Sequence, residues 1–148
     1  MGNSNSSSAS GKVKSLALDS YAKLNLYLEV LGRREDNYHN INTLFERISL
    51  SDKITLKPRR DNKIKIICSN PDVPEDDTNL CYRSVRLLQD SFGIERGLDI
   101  KIIKRIPVSA GLGGGSGNAA AVLVGLGILT EATKQLEPTG RVTSMQPR

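Results

Sequence analysis

The run Pro107, Val108, Ser109, Ala110, Gly111, Leu112, Gly113, Gly114, Gly115, Ser116, Gly117 offers chemistry that bare backbone can perform. Glycines without a Cβ let several N–H groups approach one anion, and the helix start expected just beyond them adds the positive end of a dipole. Ser116 stands where its hydroxyl can meet a phosphate oxygen or the magnesium ion that accompanies it. The expected ligand is a nucleoside triphosphate. No Lys-Ser or Lys-Thr pair follows the glycines, so this is not a Walker A loop, and the register from Gly111 is not that of a dinucleotide fingerprint. The same glycines also suit a turn that packs a helix closely against a sheet.

Two further groups carry polar side chains at useful spacing. Strand alternation puts Lys23 and Asn25 on one face, roughly 6 to 7 Å apart, so a cation and an amide can address one ligand. A lysine so placed can stabilise charge in phosphoryl transfer, although the residues alone favour the solvated face of a strand. Asp36, Asn37, Tyr38 and His39 contain the single histidine of the chain beside an aromatic ring. Tyr38 can stack on a base while His39 bonds its edge, or both can simply shape a turn.

These groups need elements to hold them. Ala22, Leu24, Leu26, Leu28 and Val30 alternate with polar neighbours, which predicts a strand with those five residues on one face. A polar turn over 33–38 follows, then a return over 41–50 and two short strands at 53–56 and 63–68. Asp77 or Thr78 can cap a helix carrying Cys81, Val85, Leu88 and Phe92 and ending at Gly93. A strand over 98–106 ends at Pro107, and 118–129 has the small, apolar composition of a buried helix. The fold class expected is α+β, a mixed or antiparallel sheet packed with helices.

Composition sets the frame. The chain has 148 residues, 38% hydrophobic and 25% charged, which suits one domain with a real core. No apolar stretch reaches the roughly 18 residues of a membrane span and no secretory h-region opens the chain, so a cytosolic protein without membrane contact is expected. Cys68 and Cys81 match no metal spacing and read as small core residues. The net charge of +5 is dispersed, and no aromatic residues interleave with it on a sheet face, so a phosphorylated small molecule is expected and nucleic acid is not. Residues 1–15 read as a disordered tail, 16–130 as the folded domain and 131–148 as an irregular tail.

In order and spacing, Ala22-Lys23-Leu24-Asn25-Leu26, then Gly32-Arg33-Arg34 with Asp36 to His39, then the glycine loop resemble the diphosphocytidyl-methylerythritol kinases of the GHMP superfamily. The resemblance covers about residues 20–129. It implies an ATP-binding N-terminal domain and transfer of the γ-phosphoryl group of ATP, with magnesium, to the 2-hydroxyl of the diphosphocytidyl substrate. It implies Lys23 as the catalytic lysine, Asn25 as a substrate contact, Tyr38 and His39 at the cytosine, Asn79 and Lys104 near the adenine, and residues 107–117 around ATP. Ser116, within that loop, keeps the magnesium contact read from its position above. Two positions depart from the family: Gly117 where many members have serine, and Asn118 where many have aspartate. The family also continues into a Gly-Ala-Asp-Val-Pro segment bearing a catalytic aspartate and then a second domain, neither of which this sequence contains. Glu131 and Glu137 lie in a segment unlike that one, so a non-catalytic nucleotide-binding fragment, or another GHMP small-molecule kinase, is the alternative reading, and a marginal fold or self-association through surface left uncovered is expected.

Overall fold

The computed structural model describes residues 15–136. The tails expected at 1–15 and 131–148 therefore lie largely outside the described residues. Strands β1 (Leu16–Arg33), β2 (His39–Pro58) and β3 (Ile64–Cys68) are followed by helix α1 (Leu80–Phe92), strand β4 (Leu98–Ile103) and helix α2 (Gly114–Leu136). The sheet order is β1-β2-β4-β3. Its β1–β2 and β2–β4 pairs are antiparallel, and β3–β4 is parallel. A parallel pair needs a crossover, and α1 supplies it. The expected α+β class with a mixed sheet is what the chain adopts.

Period-two alternation places Ile54 and Leu56 of β2, Ile66 of β3, and Ile100 and Ile102 of β4 on one face of the sheet. Cys81 and Val85 of α1 and Val122 and Leu129 of α2 cover that face and complete the core. Cys81 is a core residue as expected, and Cys68 packs partly buried against the same cluster. Lys53, Lys57 and Lys101 alternate out of the core into solvent.

Several expected boundaries are corrected. The return over 41–50 and the strand at 53–56 form one 20-residue strand, β2. Ser51 and Asp52 look like a polar break in the sequence, yet both are buried, and Asp52 finds its partners inside. The single apolar face expected over 22–30 does not persist. Register shifts between Tyr21 and Lys23, between Asn25 and Tyr27, and between Val30 and Gly32 break the alternation, as bulges do. Ala22 is fully buried, whereas Leu24, Leu26, Leu28 and Val30 are exposed where the β1–β2 hairpin extends past the helices.

The cap of α1 is Asn79, not Asp77 or Thr78. Asp76 instead binds the amide and hydroxyl of Thr78, which leaves Asn79 Oδ1 to accept from the Cys81 N–H at 2.8 Å. Gly93 ends the helix in the left-handed conformation expected, but Phe92 points to solvent and Gln89 takes the buried position. Strand β4 stops at Ile103 rather than 106, because the next three residues turn inward around Asp52. Helix α2 starts at Gly114, four residues before the expected 118, and runs through Leu136. The reading of 131–148 as irregular is thus corrected at its start: apart from Thr133, residues 131–136 are good helix formers, and the first breaker is Pro138.

Candidate nucleotide site

The glycine loop joins β4 to α2 across the mouth of a cleft of about 360 Å³. Val73, Pro74, Asn79 and Leu80 form one wall, and residues 107–116 form the other. Within the loop φ is positive at Ser109 (61°), Gly111 (72°) and Gly113 (73°), with ordinary values at the residues between. That alternation folds successive N–H groups toward a common side, the geometry of an anion-binding nest. Ser109 adopts it despite its Cβ, a cost that a surrounding structure must impose.

Helix α2 takes over where the nest ends. The Gly117 N–H bonds the Gly113 carbonyl at 2.8 Å, so the N–H groups of Gly114, Gly115 and Ser116 have no acceptor within the helix. The first turn carries no acidic side chain to compete for them. Ser116 is exposed there, with its hydroxyl in reach of a ligand at the helix start. Four of the glycines in this run are therefore part of the loop end or the first helical turn, a division the sequence alone left open.

β1 lies at the edge of the sheet, and the loop docks on it. The Lys23 N–H donates to the Leu112 carbonyl at 3.0 Å, next to the first bulge of the strand. A Cβ on Gly113 would stand 3.1 Å from Lys23 Cγ, so the lysine stem lies directly over this glycine. Lys23 Nζ donates to Asn25 Oδ1 at 2.7 Å. The structure thus brings together the glycine loop, Lys23 and Asn25.

Tyr38 and His39 stand elsewhere. They occupy the far end of the β1–β2 hairpin, where His39 pairs with Arg33, while Lys23 pairs with Arg47. Ten residues of β1 separate the two stations, at most about 34 Å of strand, with two register shifts between them. Tyr38 is 74% exposed, and its N–H caps onto Asp36 Oδ1 at 3.2 Å. Asn79 and Lys104 line the cleft, but their polar groups are engaged. Asn79 donates to the Pro74 carbonyl at 2.6 Å besides capping α1. Lys104 Nζ pairs with Asp52 Oδ2 at 2.8 Å and also donates to the Ile106 carbonyl.

Asp52 is the residue the sequence did not disclose. It is fully buried and sits behind the loop, where Oδ1 accepts from the N–H groups of Arg105 and Ile106 at 2.7 and 2.8 Å. Oδ2 accepts from Lys104 Nζ and from Asn118 Nδ2 at 2.9 Å. Burial alone raises a carboxyl pKa; here the Lys104 ammonium, two backbone N–H groups and the Asn118 amide outweigh it and hold Asp52 below its ordinary value. Asn118 thus serves the scaffold as a donor, and Gly117 lies where a Cβ would come within 3.0 Å of Ser20 Oγ.

Among the described residues no group of three His, Cys, Asp or Glu side chains could hold a metal ion. No described helix is long and apolar enough to cross a membrane.

Comparison with known proteins agrees with this geometry. Residues 79–140 match the family model described as the GHMP kinases N terminal domain. The chain is 48% identical over 114 residues to a 4-diphosphocytidyl-2-C-methyl-D-erythritol kinase of Alkaliphilus metalliredigens, covering 77% of this chain and 39% of that protein. It is 50% identical over 110 residues to the enzyme of the same name from Thermosynechococcus vestitus, covering 73% and 35%. A crystal structure of 4-(cytidine 5'-diphospho)-2C-methyl-D-erythritol kinase superposes with a TM-score of 0.64 at 35% identity, over 83% of this chain and 46% of that one. Homoserine kinase from Cytophaga hutchinsonii, at 18% identity and a TM-score of 0.59 over 83% of this chain and 38% of that one, shares the fold. The chain spans less than half the length of each of these proteins. Cleft, loop and likeness agree: residues 79–140 carry the GHMP kinase N-terminal domain match, and over about three quarters of its length the chain is similar to part of the 4-diphosphocytidyl-2-C-methyl-D-erythritol kinases.

Proposed function

We propose that this chain supplies the nucleotide half of a kinase site that transfers the γ-phosphoryl group of ATP to the 2-hydroxyl of 4-diphosphocytidyl-2-C-methyl-D-erythritol. The single observation that carries the reading is the alternating-φ loop running into an uncapped helix start, with Lys23 lying across Gly113. Such a loop binds phosphate oxygens through backbone N–H groups, and little covalent chemistry is then left for the protein. Positioning and charge do most of the work.

In this reading the N–H groups of residues 109–116 hold the β- and γ-phosphates, and Lys23 stabilises charge on the phosphoryl group as it moves. Asn25, hydrogen-bonded to Lys23, fixes the ammonium and faces the sugar-like part of the substrate. Magnesium, when bound, neutralises the phosphate oxygens. It prefers phosphate, water and single oxygen ligands to a protein cage, so the exposed Ser116 hydroxyl is the group of this chain suited to it. Tyr38 and His39, on the hairpin end, are assigned to the cytosine of the elongated substrate.

ADP release in the presence of MgATP, with and without the diphosphocytidyl substrate, tests the reading. Release is expected to require the substrate. Lys23→Ala is expected to lower it by roughly 10²-fold or more, the usual cost of losing one charge-stabilising donor. Gly114→Val is expected to raise the ATP requirement, because a side chain there meets Lys104 Nζ and Ile106 Cγ2 at 3.0 and 3.1 Å. Kinetics unchanged in both variants would sink the assignment.

A further inference from the structure

We propose that Asp52 is a positioning residue of the glycine loop, a buried clamp that fixes the chain entering the loop against the helix that leaves it. The inference rests on the reading of that loop as the phosphate cradle, but its geometry stands apart from any ligand.

Asp52 lies on β2, 52 residues before Lys104 and 66 before Asn118. Its two oxygens divide their work. Oδ1 takes the consecutive N–H groups of Arg105 and Ile106, which lead from β4 into the loop. Oδ2 takes Asn118 Nδ2 from the second turn of α2, together with Lys104 Nζ. One rigid carboxylate therefore holds residues on either side of 107–117 to a common point in the sheet.

A fully buried carboxylate is expensive to place and is retained only where its hydrogen bonds are satisfied. All four here come from chain flanking the loop. None comes from the apolar core that begins two residues further along β2 at Ile54. Lys104 is tied in turn to the Ile106 carbonyl, so the ion pair closes a ring around the same short segment. An ion pair serving stability alone would have no need to gather both ends of one loop. Preorganised N–H groups bind an anion without first paying to order the loop, and loop placement is what this clamp controls.

Two amides report the position of the loop without a ligand: Lys23, bonded to the Leu112 carbonyl, and Gly117, bonded to the Gly113 carbonyl. Ile100 and Ile102, in the central strand β4, report the core. In Asp52→Asn, hydrogen exchange is expected to accelerate at Lys23 and Gly117 by roughly tenfold more than at Ile100 and Ile102, as for loss of a charge-assisted hydrogen bond. The affinity for MgADP is expected to fall in parallel. Should Asp52→Asn fail to fold, the double variant D52N/K104M leaves no charge stranded and takes the same measurement. Equal acceleration at all four amides, or none at any, would overturn the clamp. If the parent chain shows no MgADP binding, the proposed function fails, and the exchange pattern still decides the role of Asp52.

Discussion

Asn118 on α2 donates through Nδ2 to Asp52 Oδ2 on β2 at 2.9 Å, and both side chains are buried. The contact requires a donor at position 118. Asn118→Asp would set two carboxylates against each other with only Lys104 to balance them. One must then take up a proton or separate. We expect a loss of about 3 kcal/mol at pH 7, in the range for breaking a buried charged network, and a partial recovery on acidification toward pH 5. Urea denaturation at the two pH values measures both, and a variant as stable as the parent at pH 7 would contradict the contact.

The parent should show the opposite pH behaviour. Asp52 has a folded pKa below the ordinary 3.8, so the unfolded chain binds the proton more readily. The stability it contributes is complete above the unfolded value and is lost as the pH falls through the folded one. Urea midpoints measured from pH 6 down to pH 2 should fall below about pH 4 in the parent, and less steeply in D52N/K104M.

Gly117 and Ser20 make a second dependent pair. A Cβ at 117 comes within 3.0 Å of Ser20 Oγ, a buried hydroxyl that has no hydrogen-bond partner. Gly117→Ala alone is expected to be neutral or destabilising, since crowding opposes the helix-propensity gain of about 1 kcal/mol. In a Ser20→Ala background the crowding atom is gone, and the same substitution should become stabilising. Thermal melts of the four chains give the coupling directly; identical effects in both backgrounds would show that Ser20 does not crowd position 117.

Much of this was legible from residue types. The alternation at Ile54, Leu56, Ile100 and Ile102, the helical spacing of Cys81 and Val85, and the glycine loop were all local patterns. What escaped was non-local. Asp52 sits between Ser51 and Lys53, a polar triplet that reads as a break, and nothing nearby shows that Lys104 and Asn118 will come to it. The bulges of β1 escaped for the same reason, because the side-chain pattern of one strand does not record the register of its partner. Asn79 carries no local mark of a helix cap beyond its residue type beside Asp77 and Thr78, and its work as the cap of α1 is visible only with the Cys81 N–H in place.

The two cysteines should differ in reactivity. Burial pushes the Cys81 thiol up to about 12, with smaller contributions from Cys68 and Asp52, and it is 1% exposed. Cys68 is only partly buried. A disulfide exchange reagent at pH 8 should label Cys68 in the native protein and reach Cys81 only on unfolding. Equal native rates, read by mass spectrometry, would contradict the burial of Cys81.

The loop between β4 and α2 is the proposed phosphate cradle, and MgADP titration followed by backbone amide shifts reads it residue by residue. Saturable shifts centred on Gly111, Gly113, Gly114, Gly115 and Ser116 are expected, with Lys23 following and Tyr38 and His39 unmoved. Saturable binding with its largest shifts away from the loop, or no binding by the folded chain, would contradict that cradle.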